Sequence, residues 1–313
     1  MQRAKGFVLL AVLWVMVGVG ALGLGLALMA RRAAGTAYNR RAATAAMWLA
    51  EDCASRAEAA IGEVLRPRGG DTTSSADAER ATWSRLDEAV ASSSDLGHAP
   101  CSVGMRPTGT TIDINTADDS LLAHLFIALG NGSALADSLA DAILDWRDAD
   151  DVPRPSGAER NWYVAQGRGA PRNAPFADVR ELRRVRGFEE RVGLDSVLGV
   201  EPDRMVLDRA SLAVIAALPG FTAEAVAHVA EHRARGIPIP DLLSLGAELS
   251  PASRAALLAD YPELVRLTTA EPDAWMLTAR ATVGTPAVTY VLELRLVRAG
   301  NRAAVVRRRT WIQ

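Results

Sequence analysis

Apolar residues follow three different patterns along this chain of 313 residues. Residues 7–30, FVLLAVLWVMVGVGALGLGLALMA, form an unbroken apolar run of twenty-four positions without a charged side chain. At about 1.5 Å of rise per residue, a helix of that length crosses the roughly 30 Å hydrocarbon layer of a bilayer. The run is too long for the apolar core of a cleaved secretory signal, and Arg31 and Arg32 close a full span where such a signal would carry small residues. The helical pattern then continues. From Arg31 to Leu65 there is no proline, and Leu49, Cys53, Ala57, Ile61 and Leu65 recur every four residues. This predicts one helix of nearly sixty residues whose second half is amphipathic, with Glu51, Asp52, Arg56, Glu58 and Glu63 on the wet face. Pro67, Gly69 and Gly70 end it, the polar stretch 71–80 reads as a loop, residues 83–90 as a short helix, and residues 98–105 as a weak strand that holds Cys101.

The second pattern is a series of short capped helices. Thr116, with Asp119 three residues later, precedes an apolar stripe of Leu121, Leu122, Leu125 and Leu129, and Ser133 opens a helix whose stripe is Leu135, Leu139, Ile143 and Trp146. Residues 145–175 are irregular and rich in Pro, Gly and charge, and loops of that length are usually functional or tied down. Asp178 and Glu181 cap a short helix, Thr222 caps another after the turn Leu218-Pro219-Gly220-Phe221, and Ser250-Pro251 opens a last one. Beyond Pro262 the third pattern begins: WMLTARATV, TYVLELRLV and AAVVRRRTWI alternate apolar with polar residues between turn signals, as an antiparallel meander does.

A sheet built from this order needs strands from both sides of the helical block. The economical architecture is α+β: a long N-terminal helix packed on an antiparallel sheet, with a large all-α domain inserted between strands. The boundaries read as 1–6 for a basic leader, 7–30 for the membrane span, 31–66 for its amphipathic continuation, 67–112 for the first part of the α/β domain, 113–262 for the insert and 263–313 for the terminal strands.

Composition changes this picture little. Apolar residues make up 49% and charged ones 23%, and the formal net charge is −2. Without a leader that holds Arg3 and Lys5, 33 basic side chains face 37 acidic ones, so no electrostatic signal calls for nucleic acid. Lys5 is the only lysine, every other basic residue being arginine, which reads as a compositional bias. Cys53 and Cys101 fit an oxidising export compartment; their spacing leaves a disulfide between them open.

Three constellations carry potential chemistry. The stretch ALPGFTAEAVAHVAEHRARG, and less clearly INTADDSLLAHLF, has the look of a helix-hairpin-helix, which in DNA-binding versions lets glycine backbone approach a phosphate. Here Thr222 replaces the second glycine and only Arg233 and Arg235 lie close by, so a structural hairpin outweighs a membrane-anchored DNA-binding protein. His228, Glu231 and His232 follow the H-x-x-E-H order of a zinc hydrolase, but no third ligand stands out and a solvated helix face accounts for them. The acidic loop is the third, with Asp145, Asp148, Asp150, Asp151 and Glu159. Four carboxylates in seven positions repel unless a cation sits among them, and calcium takes oxygen ligands from irregular loops of this kind. The alternative is a solvated loop balanced by Arg147, Arg154 and Arg160.

The leader MQRAKG, ending at Gly6 just before the aromatic Phe7, resembles a prepilin-peptidase site, which implies cleavage after Gly6 and methylation of the new amine on Phe7. Pilins and pseudopilins usually carry Glu at the fifth mature position, where this chain has Ala11. A carboxylate in lipid costs a few kcal/mol unless paired, and in pilins the amine of the neighbouring subunit above pairs it. A subunit without it needs no neighbour above. That departure, together with DINTADDSLL, ILDWRDADDVPRPSGAERNWY, NAPFADVRELRRVRGF and the later LPGF, resembles the K subunits of type II secretion systems over nearly the whole chain. The resemblance implies a non-enzymatic, pilin-like minor pseudopilin in the inner membrane, its globular part in the periplasm and its place at the tip of a pseudopilus. It implies partnership with the I and J minor pseudopilins, through them with H and the major pseudopilin G, processing by the prepilin peptidase, and contact with the secretin and cargo. It also implies a calcium ion in the insert with Asp148, Asp150, Asp151 and Glu159 as ligands, although Arg160 and Asn161 stand where the family often has another acid.

Overall fold

The structure, a computed structural model, describes residues 4–66, 82–83, 85–91 and 101–313. The expected helix break at 67–70, the loop 71–80 and the start of the weak strand at 98–100 lie outside the described residues. The apolar run and its amphipathic continuation form a single helix, α1 (Ala4–Val64), of 61 residues. Gly6, Phe7 and Ala11 lie within it. Its membrane half is long and apolar enough to span a bilayer, and none of that stretch is buried against the rest of the chain.

The second half of α1 is buried along one face, where Ala46, Ala50, Cys53 and Ala57 are inaccessible. Small side chains at this spacing let the helix lie close on the sheet beneath it. That sheet has four antiparallel strands in the order β1, β6, β7, β8, where β1 is Ser102–Pro107, β6 Ala274–Val283, β7 Val288–Ala299 and β8 Arg302–Ile312. Trp275, Leu277, Ala279, Leu292, Leu294 and Leu296 meet the helix in one core. Trp83 joins them, its ring centroid 5.2 Å from that of Trp275. A disulfide links Cys53 on α1 to Cys101 just ahead of β1, with Cα atoms 6.5 Å apart.

Strands β1 and β6 are neighbours in space but 108–273 lies between them in sequence, and Pro107 is directly opposite Trp275. Thr108 donates from both its backbone N and its hydroxyl to Ala274 O, each at 2.9 Å, closing the neck through which the chain leaves and rejoins the sheet. An insertion whose ends are already paired costs the host sheet little. The intervening helices include Asp119–Ala128, Ser133–Arg147, Arg160–Ala165, Leu212–Ala216, Ala223–Arg235, Leu242–Glu248, Pro251–Ala259 and Tyr261–Leu267. They enclose a second core of their own, around Leu122, Phe126, Ile143, Tyr163, Phe188, Val214 and Leu257. Two parallel strand pairs also stitch this block: β2 (Ile112–Asp113) with β3 (Leu198–Gly199), and β4 (Met205–Val206) with β5 (Thr268–Thr269).

Two caps differ from the sequence expectation. Asp118, not Thr116, caps the first insert helix by accepting from Leu121 N, while the Thr116 hydroxyl donates to Asp113. Gly132 is the cap where Ser133 was expected, Ser133 being the first helical residue. The insert is clamped to the sheet by charge: Arg295 pairs with Glu201 and Asp203, Arg307 with Glu201, and Arg204 with Asp273 at 3.0 Å.

Candidate functional site

The helix Ser133–Arg147 buries Leu139, Ala142, Ile143 and Trp146, and the same face carries Asp145, which is wholly inaccessible. A carboxylate in the last turn of a helix opposes the negative end of the helix dipole, and burial adds to the cost. Asp148 caps this helix in an extended conformation, and Glu159 precedes the helix Arg160–Ala165 and is 3% exposed. Ligand oxygens of Asp145, Asp148 and Glu159 all lie within 4.8 Å of one another. Three carboxylates therefore converge at the point where one helix ends and the next begins.

Partners within the chain satisfy only part of this cluster. Both oxygens of Asp145 accept from Arg154 N at 3.2 Å, and the Arg154 guanidinium stays at 4.0 Å. Neither Glu159 oxygen has a hydrogen-bond partner among the described residues, and Oδ1 of Asp148 and of Asn173 are equally unpartnered and buried. Gly157 packs against Asp145 so closely that a Cβ there would stand 2.0 Å from Oδ2, so the loop admits no side chain at that position. Burial is the main cause that pushes Glu159 up to about 7, with repulsion from Asp145 and Asp148 adding to it. Asp145 is pushed up to about 6, again chiefly by burial, and Asp148 is raised for the same reason.

Buried, unpartnered carboxylate oxygens at such separations suit a hard divalent cation. Two oxygens bound to one calcium at about 2.3–2.6 Å can stand no more than about 5 Å apart, and the cluster meets that limit with an all-oxygen donor set. Of the four ligands that the resemblance implied, the structure brings Asp148 and Glu159 together, and with them Asp145, which the sequence placed in the same acidic loop. Asp150 and Asp151 lie outside this group and are exposed: Asp150 accepts from Val152 N at 2.8 Å, and Asp151 pairs with Arg160 at 3.6 Å. Asn173, at a φ of 48°, braces the loop by donating to Asp150 O at 2.6 Å and to Asp151 Oδ1 at 3.1 Å. The arginines expected to balance the loop are partly engaged elsewhere, since Arg147 donates to Ile114 O and Ala117 O. One signal for Asp145 was available in the sequence: an acid on the buried stripe that ends at Trp146.

The other two constellations fold into different arrangements. The hairpin turn at Gly220 has a φ of +68°, as a tight reversal requires, but a Cβ there would meet Ala256 O at 2.7 Å, so the turn is packed against the helix Pro251–Ala259. Thr222 bonds Ser253 Oγ at 2.9 Å, and Glu224 in the first turn accepts from Ser250 N at 2.8 Å and Oγ at 2.6 Å. A carboxylate and neighbouring hydroxyls thus occupy the end that a phosphate would need. In the H-x-x-E-H stretch, Glu231 pairs outward with Arg235 at 2.5 Å, whereas His232 bonds Glu248 at 2.8 Å and His228 lies 3.9 Å from it. The Glu that would serve as a base faces away from both imidazoles' common partner.

The serine hydrogen bonds hold Glu224 down to about 2. A depressed carboxylate contributes stability above its unfolded value of 4.5 and loses it as pH falls toward 2. Glu224→Gln should therefore lower the melting temperature at pH 6 and close that gap as pH falls from 4 toward 2, as followed by circular dichroism. A gap that is the same at pH 6 and pH 2 would contradict the assignment.

Residues 108–194, which hold all three clustered carboxylates, match the family described as type II secretion system (T2SS), protein K. A type II secretion system protein K from Dickeya chrysanthemi is 39% identical over 66 residues, which span 21% of this chain and 18% of that protein. Among solved structures, a chain of the GspK-GspI-GspJ complex from the enterotoxigenic Escherichia coli type 2 secretion system matches with a TM-score of 0.59 and 16% identity, over 90% of this chain and 99% of its own. At that identity the likeness is one of fold, and it extends over the helix, sheet and insert alike.

Proposed function

We propose that this chain, whose residues 108–194 are a type II secretion protein K domain, works as a minor pseudopilin: a non-enzymatic subunit anchored by α1 and placed at the tip of a periplasmic pseudopilus. The observation that carries the reading is the combination of a protein K domain with its position, inserted between adjacent strands of a sheet that packs on a 61-residue helix continuous with a membrane span. The apolar half of α1 holds the subunit in the inner membrane and its amphipathic half packs with other pseudopilin helices. The insert is bulky and leaves the sheet at one end of the neighbouring strands β1 and β6, which suits the end of a filament better than a repeated position along it. Ala11 agrees with this, since residues 7–30 hold no carboxylate that asks for the amine of a subunit above.

The solved neighbour is a complex with GspI and GspJ, and we extend that partnership to this chain's I and J counterparts. Processing after Gly6 by the prepilin peptidase belongs to the same reading. Mass spectrometry of the protein coexpressed with its peptidase should find an N-terminus at methylated Phe7. A chain that begins elsewhere, or an unmethylated Phe7, would overturn the pseudopilin assignment.

Calcium belongs to the proposal as a structural ion. When bound, it would supply the positive charge that Asp145, Asp148 and Glu159 otherwise lack. These residues would hold the ion, with Arg154 N steadying Asp145 and the Gly157 turn keeping the loop close. The consequence is mechanical: the end of the helix Ser133–Arg147 is tied to the start of Arg160–Ala165, which orders the loop between them.

A further inference from the structure

Residues 168–191 carry seven arginines against four carboxylates in a chain whose formal net charge is −2. They wrap a groove of about 1100 Å³ lined by Arg168, Arg172, Arg180, Arg183 and Arg184 together with Trp146. Some of these cations are already committed: Arg172 pairs with Glu181 at 2.7 Å, Arg180 with Asp178 at 2.9 Å, and Arg168 with Glu189. Arg168 is also held in place over the rings of Trp162 and Tyr163, 5.6 and 5.4 Å from their centroids. Arg183 and Arg184 are exposed on the same rim and make no ion pair among the described residues.

Trp146 lines the groove, is 4% exposed, and its indole Nε1–H has no acceptor among the described residues. A buried indole N–H normally finds a partner, and this one is enclosed by the protein rather than open to the groove. The groove thus offers two guanidiniums that make no ion pair among the described residues, each built to grip a carboxylate through two N–H groups. Its volume exceeds what a single small anion fills.

We propose that this groove is a docking site for an acidic polypeptide segment, whose carboxylates pair with Arg183 and Arg184. Charge complementarity on an overall acidic molecule selects the occupant: like-charged surfaces elsewhere on the chain repel such a segment and the groove attracts it. The site does not depend on the secretion assignment, since it is read from the groove alone.

Fluorescence anisotropy of a fluorescein-labelled oligoglutamate peptide, titrated with the full chain in detergent at about 0.15 M salt, tests it. Saturable binding is expected. Arg183→Glu with Arg184→Glu should weaken it by about tenfold or more, and Arg183→Gln with Arg184→Gln by less. Arg106→Glu with Arg302→Glu, two exposed arginines on the sheet that shift the net charge equally, should leave it unchanged. Equal weakening by the groove and sheet variants would reduce the effect to bulk attraction and overturn the proposal, as would absence of binding by the unmodified chain. Competition by inorganic phosphate or by phosphatidylglycerol vesicles that matches the unlabelled peptide would overturn the choice of occupant. Unchanged methylation of Phe7 in any of these variants keeps the result separate from the pseudopilin reading.

Discussion

Adding a chelator is expected to lower the melting temperature of the helical insert, and saturating calcium to raise it. At a free calcium concentration about 1,000 times the dissociation constant the stabilisation is about 4 kcal/mol, or roughly 10 °C for a unit of this size. The cause is local. Asp145 and Glu159 are buried and raised to about 6 and about 7, so the metal-free fold holds protons that the unfolded chain has already released. Stability of the metal-free protein should accordingly fall as pH rises from about 4 to 7, while calcium, competing with those protons, binds more tightly over the same range. Glu159→Gln separates the two effects. It removes one repelling charge, so the variant should match or exceed the parent in chelator at pH 8, yet it should lose most of the calcium-dependent shift. Differential scanning calorimetry of the full chain in detergent reads both arms. A melting temperature indifferent to calcium, or a Glu159→Gln protein that keeps the full shift, would remove the ion from this site.

Trp275→Ala should produce the second large effect and confine it to the other core. Trp275 is inaccessible, packs against Trp83 with the two rings tilted at 35°, and lies where the sheet meets α1. Truncating a buried tryptophan costs about 3–5 kcal/mol through lost burial and the cavity left behind. Because the insert has a core of its own, its calcium-responsive transition should stay where it is while the helix-and-sheet transition falls by roughly 20 °C. Calorimetry with and without calcium distinguishes the two. If both transitions moved together, the two cores would unfold as one unit, and the Arg295 and Arg307 bridges to Glu201 and Asp203 would be the coupling.

The site tells the same story at smaller scale. Asp148 and Glu159 were readable as candidate cation ligands because acids close together on a loop repel one another unless a positive charge sits among them. Asp145 was read as part of the acidic loop but left out of the ligand set, because in one dimension it is a helical residue beside an apolar stripe. Only the packing of that stripe shows that its carboxylate is buried with the others. Asp150 and Asp151 satisfy the same local pattern, yet they lie outside the cluster: the Asp150 carboxylate accepts from Val152 N, and that of Asp151 meets Asn173 and Arg160. The H-x-x-E-H stretch behaves likewise, since helical spacing put both histidines on one face but only the neighbouring helix supplied Glu248 as their partner.

What the amino-acid sequence determined alone is whatever depends on periodicity and local backbone chemistry. That includes the membrane run, its continuation as one helix, the caps at Asp178, Thr222 and Ser250, and the three alternating strands. These follow from interactions within a few residues, so a short window contains their cause. The tertiary structure decided which distant segments meet: that Pro107 lies opposite Trp275, that Cys53 reaches Cys101, and that Asp145 joins Glu159. Each of these depends on burying surface between segments far apart in the chain, and only the folded core determines which of the many pairings a pattern allows is made.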